Sequence, residues 1–217
     1  MIEALIFDFD GTIIDTETPV YESWRDTFVQ AAVEPVPFEV WQAQIGKADG
    51  DAMDVRALLC AGLGVAEVPA ELEAGRKALC DEMMAAQPIR EGVMHWIAAA
   101  HDAGVHLAVA SSSSTSWVQG NLERVGMRDL FLLLSCADPP TPGKPDPAVY
   151  VQACEGLGVD PAAALAIEDS VHGSAAALAA GMACLAVPGP ITRGSDFSHA
   201  TATSDSLADF NPTDWLC

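Results

Sequence analysis

The chain has 217 residues, half of them hydrophobic, and ten basic against thirty-one acidic residues give it a formal net charge of -21. That length allows one large domain, or a core domain with a smaller insert, and a core that needs no disulfides. The acidity argues against nucleic acids and anionic membranes as partners, because both attract lysine and arginine. Any substrate that carries phosphate must therefore be held by local donors and a metal ion.

The six cysteines are widely spaced, and none forms a CxxC pair. They are Cys60, Cys80, Cys136, Cys154, Cys184 and Cys217. Because the chain shows no export signal after Met1, we expect reduced thiols and a cytoplasmic protein. No apolar run is long enough to span a membrane. We expect a monomer, although the sequence leaves the oligomeric state open.

The chain begins with a short apolar strand that ends in the residues Asp-Phe-Asp-Gly-Thr at positions 8–12. Because side chains alternate along a strand, Asp8 and Asp10 can face one side while Phe9 turns away. Two carboxylates so close resist ionising together unless a cation lies between them. Oxygen ligands at the end of a strand suit Mg²⁺, which also accepts phosphate oxygens. The alternative is that both acids merely begin a surface turn.

Residues 16–88 show helical patterns and no convincing strand. The predicted helices, separated by glycines and prolines, are 17–32, 38–45, 51–63 and 70–86. We therefore predict a helical cap domain over 16–88, inserted into a core domain formed by 1–15 and 89–217.

From residue 89 onward, helix and strand patterns alternate. The predicted strands are 105–110, 131–135, 164–167 and 183–187. The predicted helices are 93–103, 115–125, 147–157, 173–180 and a short closing one over 206–210. This alternation is typical of a parallel sheet with helices on both faces. The predicted fold class is therefore α/β, a Rossmann-like parallel sheet core with an inserted α-helical cap.

In such a sheet, ligands bind outside the carboxyl ends of the strands. The polar residues predicted there are Asp8, Asp10, Ser111, Glu168 and Asp169, joined by Lys144 from the loop 143–147. Each has an alternative interpretation. Ser111 could be the N-cap of the helix near 115, Lys144 a solvated loop lysine, and 168–170 a polar helix start.

Taken together and in this order, these residues resemble the four signature motifs of the haloacid dehalogenase superfamily. The residues that carry the resemblance are 8–12, Ser111, Lys144, and Glu168 with Asp169. A helical insert directly after the first motif resembles the C1-capped subgroup, which includes β-phosphoglucomutase and many sugar-phosphate phosphatases. The resemblance covers the chain from Leu5 to about Val187.

The resemblance implies covalent phosphoryl transfer to the protein. Asp8 would be the nucleophile that attacks phosphorus and forms an aspartyl-phosphate. Asp10 would be the general acid that protonates the leaving group, and then the general base that activates water.

The resemblance also implies a magnesium ion as cofactor. Mg²⁺ would be held by Asp8, the backbone carbonyl of Asp10 and Asp169, with Glu168 supporting it from further out. The equatorial phosphoryl oxygens would be held by Ser111, the amide of Ser112 and Lys144.

Substrate choice should depend on the cap. Phosphoglucomutases of this subgroup have a histidine in the first cap helix and an arginine in the glycine-rich cap loop. Here residues 16–25 contain no histidine, and Asp49 stands about where the arginine would fall. Both departures favour hydrolysis over a mutase reaction. We expect Glu17 and Lys47 to reach the leaving group; the alternative is that both are solvated cap residues.

The sequence thus predicts a Mg²⁺-dependent phosphatase acting on a small phosphorylated metabolite such as a sugar phosphate. Two alternatives remain open at this point. One is a phosphosugar mutase of the β-phosphoglucomutase type. The other is a non-catalytic phosphate-sensing or scaffold protein that keeps the fold.

Overall fold

A computed structural model describes residues 1–47 and 53–216 of the chain. Its centre is a sheet of six strands in the order β3-β2-β1-β4-β5-β6, and every neighbouring pair is parallel. The strands are β1 (Ala4–Phe7), β2 (His106–Ser111), β3 (Leu133–Cys136), β4 (Ala164–Glu168), β5 (Ala183–Ala186) and β6 (Ala202–Thr203). The predicted fold class is confirmed.

Helices connect the strands and also fill the insert after β1. Those of the insert are α1 (Glu17–Gln30), α2 (Phe38–Gln42), α3 (Val55–Leu63) and α4 (Ala70–Ala85). Those of the core are α5 (Val93–Ala103), α6 (Thr115–Arg124), α7 (Ala148–Leu157), α8 (Val171–Ala179) and α9 (Thr213–Leu216). Within the described ranges, none of the helices has the length and apolarity that crossing a bilayer requires.

The two faces of the sheet carry side chains of different size, because alternate strand residues point to opposite faces. The face under α5 and α6 carries large residues, namely Leu5, Phe7, Leu107, Val109, Leu165 and Ile167. The face under α7 and α8 carries mainly alanine, namely Ala4, Ala108, Ala110, Ala164 and Ala166. Both faces are buried, as parallel sheets require.

The helices of the insert enclose a separate apolar cluster. It contains Trp24, Phe28, Trp41, Ile45 and Leu59, and Ile191 from the segment after β5 packs into it. The chain leaves the core and returns to it at one place, where Ile14 and Ile89 pair as an antiparallel bridge. This bridge is consistent with the predicted division into a core (1–15 and 89–217) and a cap (16–88), which stays a prediction.

The sequence patterns located the elements better than their ends. The third strand begins at Leu133 rather than at 131, and α8 begins at Val171 rather than at 173. The predicted closing helix is only a 3-10 turn over Leu207–Asp209, whereas β6 and α9 were not predicted. The cysteines of the described residues carry no disulfide, and Cys217 lies outside them.

Candidate active site

Polar side chains from four segments meet at the carboxyl edge of the sheet. Asp8 follows β1, Ser111 ends β2 and Glu168 ends β4. Because β1 pairs with both β2 and β4, these three strand ends are neighbours. Lys144 reaches the same place from the loop before α7, and its ammonium contacts Asp8. The structure thus brings together residues that the sequence places at separate strand ends.

Lys144 joins two of the carboxylates. Its Nζ donates hydrogen bonds of 2.5 Å to Oδ1 of Asp8 and 2.6 Å to Oε1 of Glu168. The side chain is only 1% exposed, so the solvated-loop alternative for Lys144 is wrong. Burial alone would lower the pKa of Lys144, but the charges of Asp8 and Glu168 raise it above its ordinary value. The lysine therefore remains a cation in the buried site.

Both carboxylate oxygens of Glu168 accept hydrogen bonds from buried side chains. Tyr150 donates its hydroxyl proton to Oε1 over 2.7 Å, and the hydroxyl of Ser170 donates to Oε2 over 3.1 Å. A Cβ at Gly173 would lie 1.9 Å from Oε1, so only glycine leaves room for this carboxylate. Ser170 is also the N-cap of α8. The helix-start alternative is thus correct for Ser170 but does not describe the buried carboxylate of Glu168.

Asp8, Glu168 and Asp169 form a buried acidic cluster. Oxygen atoms from the three carboxylates all lie within 4.8 Å of one another. Burial raises the pKa of Asp8 to about 7; Glu168 adds to this effect, and Lys144 opposes it. Burial and the charges of Asp8 and Glu168 raise the pKa of Asp169 well above its ordinary value.

The Asp8, Glu168 and Asp169 oxygens suit a metal ion. Oδ2 of Asp8 is buried and has no hydrogen-bond partner among the described residues. Carboxylate oxygens are the hard ligands that small divalent cations prefer, and this oxygen makes no hydrogen bond that would compete with a cation. A Cβ at Gly11 would lie 2.3 Å from Oδ2 of Asp169, so glycine preserves this space. The residues present therefore fit a cation of this class.

Asp10 lies beside this cluster in a network of donors. Its Oδ2 accepts from Ser113 over 2.6 Å and from Ser111 over 3.4 Å. Its Oδ1 accepts 2.8 Å hydrogen bonds from the hydroxyl of Thr16 and from the indole N–H of Trp117. Sequence reasoning missed Thr16, Ser113 and Trp117 because each looks like an ordinary residue near a helix start.

The serines after β2 have distinct partners. Ser111 is fully buried, and the N-cap of α6 is Ser114, so the N-cap alternative for Ser111 is wrong. The hydroxyl of Ser112 donates to the carbonyl of Gly46 over 2.9 Å and accepts from the amide of Lys144 over 3.0 Å. Ser112 therefore ties the insert to the loop that carries the buried lysine.

A cavity of about 490 Å³ opens between the insert and this edge of the sheet. Glu17, Lys47 and Asp10 line it, together with Trp24, Trp41 and Trp117 from three different helices. Burial, followed by the charges of Asp10 and Asp8, raises the pKa of Glu17 to about 8. Glu17 and Lys47 therefore lie in the same cavity as Asp10, and their contact with a leaving group stays a prediction. Asp49, which the sequence placed in this loop, lies outside the described residues.

Arg90 is a further residue that the sequence did not single out. Its guanidinium donates to the carbonyl of Gly11 and, over 3.0 Å each, to the carbonyls of Val187 and Pro188. It therefore joins the loop after β1 to the loop after β5. A single arginine at the end of a helical insert carries no pattern that would reveal this role.

Comparison with protein families identifies the chain. The model of the haloacid dehalogenase-like hydrolases matches residues 2–181, which include every segment of this site. The chain belongs to the haloacid dehalogenase-like hydrolase family. The residues of the acidic cluster and Lys144 therefore lie within the matched range.

Curated haloacid dehalogenase relatives match almost the full chain. YhcW of Bacillus subtilis (strain 168) is 39% identical over 209 residues, which cover 96% of this chain and 94% of the relative. Validoxylamine A 7'-phosphate phosphatase of Streptomyces hygroscopicus subsp. limoneus is 32% identical over 185 residues, 85% of each protein. These matches confirm the predicted family and the predicted enzyme class, a phosphomonoester hydrolase of the haloacid dehalogenase type.

Solved haloacid dehalogenase structures share the fold. CbbY from Rhodobacter sphaeroides, crystallised in complex with phosphate, has a TM-score of 0.74 and 30% identity, with 96% of each chain covered. A CbbY variant has been crystallised with xylulose-(1,5)bisphosphate. A β-phosphoglucomutase from Clostridium difficile has a TM-score of 0.75 at 21% identity, covering 97% of this chain and 94% of its own, a likeness of fold alone.

Proposed function

We propose that this protein is a Mg²⁺-dependent phosphatase that hydrolyses a small phosphorylated metabolite through an aspartyl-phosphate on Asp8. The observation that carries the proposal is the state of Asp8. One of its oxygens is fixed by Lys144, and the other is buried without a hydrogen bond among the described residues. A buried carboxylate held in one orientation, with an oxygen left open, suits a nucleophile.

Asp10 supplies the proton transfers. When the phosphorus–oxygen bond of the substrate breaks, Asp10 gives a proton to the departing alkoxide. It then takes a proton from the water that attacks the aspartyl-phosphate. Asp10 lines the cavity and so can reach both the leaving group and that water.

Mg²⁺ would be held by Asp8, Asp169 and the backbone carbonyl of Asp10, with Glu168 in support. Bound there, it would screen the charge of Asp8 from the dianionic phosphate. Glu168 already accepts hydrogen bonds from Lys144, Tyr150 and Ser170, which suits a residue that orients its neighbours.

The phosphoryl oxygens would be bound by Lys144, Ser111 and the amide of Ser112. All three donors lie at the carboxyl end of β2 or in contact with Asp8. A fixed ammonium and fixed donors stabilise the charge that spreads over these oxygens in the transition state. Asp8 and Glu168 fix the ammonium of Lys144 in place.

The cavity favours a monophosphate with an uncharged leaving group such as a sugar. Among its described lining residues Lys47 is the single cation, against the acids Asp10 and Glu17. The neighbouring residues 48–52 read Ala-Asp-Gly-Asp-Ala and add no basic residue. A second phosphate group would therefore meet more negative than positive charge. This balance disfavours the mutase alternative, which requires a sugar bisphosphate.

Relatives support hydrolysis of phosphate esters. One curated relative is a phosphatase of validoxylamine A 7'-phosphate, and the structure of CbbY contains phosphate. The complete set of acids and the buried lysine disfavour the non-catalytic alternative, because three buried carboxylates around one lysine cost stability, and groups with pKa values shifted in this way are concentrated at functional sites.

A phosphate-release screen over sugar monophosphates and bisphosphates, with Mg²⁺ and with EDTA, tests the proposal. We expect release from monophosphates that depends on Mg²⁺ and is lost in Asp8→Asn. The matched control is Asp102→Asn, the same chemical change on a side chain that is 87% exposed and belongs to α5. Parent-level release by Asp8→Asn would disprove the nucleophile. An isomerised sugar phosphate without phosphate release would instead identify a mutase.

A further inference from the structure

Trp117 contacts the carboxylate of Asp10, although 107 positions separate them in the sequence. Its indole Nε1 donates to Oδ1 of Asp10 over 2.8 Å. The backbone of Trp117 is fixed in the first turn of α6, because its amide donates to the N-cap Ser114 and its carbonyl accepts from Asn121. The ring also lines the cavity next to Asp10. Trp117 thus joins a rigid helix start to the acidic group.

An indole N–H can only donate a hydrogen bond, whereas a hydroxyl can donate or accept. Oδ1 of Asp10 must therefore remain an acceptor as long as Trp117 contacts it. A proton carried by Asp10 is then favoured on Oδ2, because both of its partners, Ser113 and Ser111, are hydroxyls that can turn to accept, whereas one of the two partners of Oδ1 cannot.

We propose that Trp117 is a positioning residue for the leaving-group step, holding Asp10 so that Oδ2 delivers the proton. This inference rests on the proposed function, in which Asp10 is the general acid. In that step an oxygen of Asp8 forms a bond to phosphorus while the phosphorus–leaving-group bond breaks. The bonding electrons stay on the leaving oxygen, which takes the proton from Oδ2 of Asp10.

Thr16 completes the arrangement from the opposite side. Its hydroxyl donates to the same oxygen, Oδ1, over 2.8 Å, and it occupies the N-cap position of α1. Oδ1 therefore accepts one hydrogen bond from the start of α1 in the insert and one from the start of α6. Without the tryptophan donor, Oδ1 would keep only the Thr16 hydroxyl among its described partners, and a hydroxyl can turn to accept, so Oδ1 could then carry the proton and misplace it.

The test is Trp117→Phe, which keeps an aromatic wall and removes only the N–H and part of the ring. The substrates are the sugar monophosphate with the highest kcat/KM in the phosphate-release screen, and 4-nitrophenyl phosphate. An alkoxide leaving group needs a proton, whereas 4-nitrophenolate departs readily without one. Since general acid catalysis contributes about 10²- to 10⁴-fold, we expect kcat/KM for the sugar phosphate to fall by about 10- to 100-fold. We expect a fall of less than about threefold for 4-nitrophenyl phosphate.

Two further variants make the result decisive. Asp10→Asn should also lower kcat/KM more for the sugar phosphate than for 4-nitrophenyl phosphate, and the difference between the two substrates should be larger than for Trp117→Phe. Trp24→Phe alters another tryptophan of the cavity that gives Asp10 no hydrogen bond within the described residues, and it should affect both substrates to the same extent. Thermal unfolding of each variant checks that the fold is kept.

If Trp117→Phe lowered kcat/KM equally for both substrates, or left kcat/KM for the sugar phosphate unchanged, the positioning role would be overturned. If Asp10→Asn showed the expected dependence in the same experiment, the proposed function would stand without this inference. If Asp8→Asn and Asp10→Asn were both as active as the parent, the proposed function itself would fail.

Discussion

Lys144 donates a 2.5 Å hydrogen bond to Asp8, although 136 positions separate the two residues in the sequence. Both side chains are buried, and the ammonium also reaches Glu168. A buried cation between two carboxylates is strongly coupled to both, so removal of the lysine leaves two buried carboxylates uncompensated. This contact therefore links the stability of the protein to its chemistry.

Replacing Lys144 by Met should destabilise the protein and nearly abolish activity. Removing one partner of a buried ion pair costs about 3 to 5 kcal/mol, because the other charge stays buried. Urea unfolding in EDTA measures this loss. We expect Mg²⁺ to restore more stability in Lys144→Met than in the parent, because the acidic cluster then has no competing cation. The control is Lys77→Met, whose lysine is 68% exposed and paired with Asp81 on the surface. A loss no larger than that of the control would contradict the coupling.

Mg²⁺ should stabilise the folded chain through the buried acidic cluster. A ligand that binds only the folded state raises its stability by an amount that grows with the ligand concentration. We expect the Tm of the parent to rise with added Mg²⁺ and the Tm of Asp169→Asn to respond weakly. Asp102→Asn, far from the cluster, should respond as the parent does. Equal shifts in all three proteins would show that the cation acts elsewhere.

Glu17 should make stability depend on pH in the absence of metal. Its pKa is raised from 4.5 to about 8 by burial and by the charges of Asp10 and Asp8. A carboxyl group whose pKa is higher in the folded than in the unfolded protein stabilises the fold at pH values below its unfolded pKa. That contribution is lost as the pH rises to about 8. Glutamine does not titrate, so the unfolding free energy of Glu17→Gln should fall less than that of the parent between pH 4.5 and about 8.

Urea unfolding of Glu17→Gln and of the parent in EDTA, at about pH 5 and about pH 8.5, tests this pH dependence. The difference in unfolding free energy should move in favour of the variant by about 1 to 2 kcal/mol, since partial contact with solvent reduces the full effect. A difference that stays constant over the window, or that moves in favour of the parent, would refute the raised pKa.

Replacing Gly173 by Ala should disturb the site by displacing the carboxylate of Glu168. The added Cβ would lie 1.9 Å from Oε1 of Glu168, so the carboxylate must move away from Lys144 and Tyr150. We expect a stability loss of about 2 kcal/mol or more and a large fall in kcat. The matched control is Gly75→Ala inside α4, where the added Cβ meets open space. There alanine should stabilise the helix by about 0.5 to 1 kcal/mol, and activity should not change.

Much of this architecture could be predicted from the sequence because its signals are local. Apolar runs mark the strands, helical periodicity marks the helices, and glycines mark many of the helix ends. Asp8, Ser111 and Glu168 could be placed at one edge because parallel strands end together. Boundaries shifted by about two residues at the third strand and at α8, where turn residues allow either start.

The partners of Asp10 could not be predicted in the same way. Thr16, Ser113 and Trp117 are common residue types at the starts of helices, and nothing local distinguishes a tryptophan that donates to a distant carboxylate. Their meeting depends on how α1 and α6 are placed over the edge of the sheet. That placement results from packing of the helices on the core, which is a property of the whole chain.

By itself, the amino-acid sequence determined that acids, a serine and a lysine follow successive strands of a parallel sheet and that a helical insert comes after the first of them. Only the tertiary structure decided that Lys144 lies between Asp8 and Glu168, that one oxygen of Asp8 stays unpaired among the described residues, and that Trp117 holds Asp10. The physical reason is that periodicity records which face a residue occupies, whereas hydrogen bonds depend on positions fixed by long-range packing.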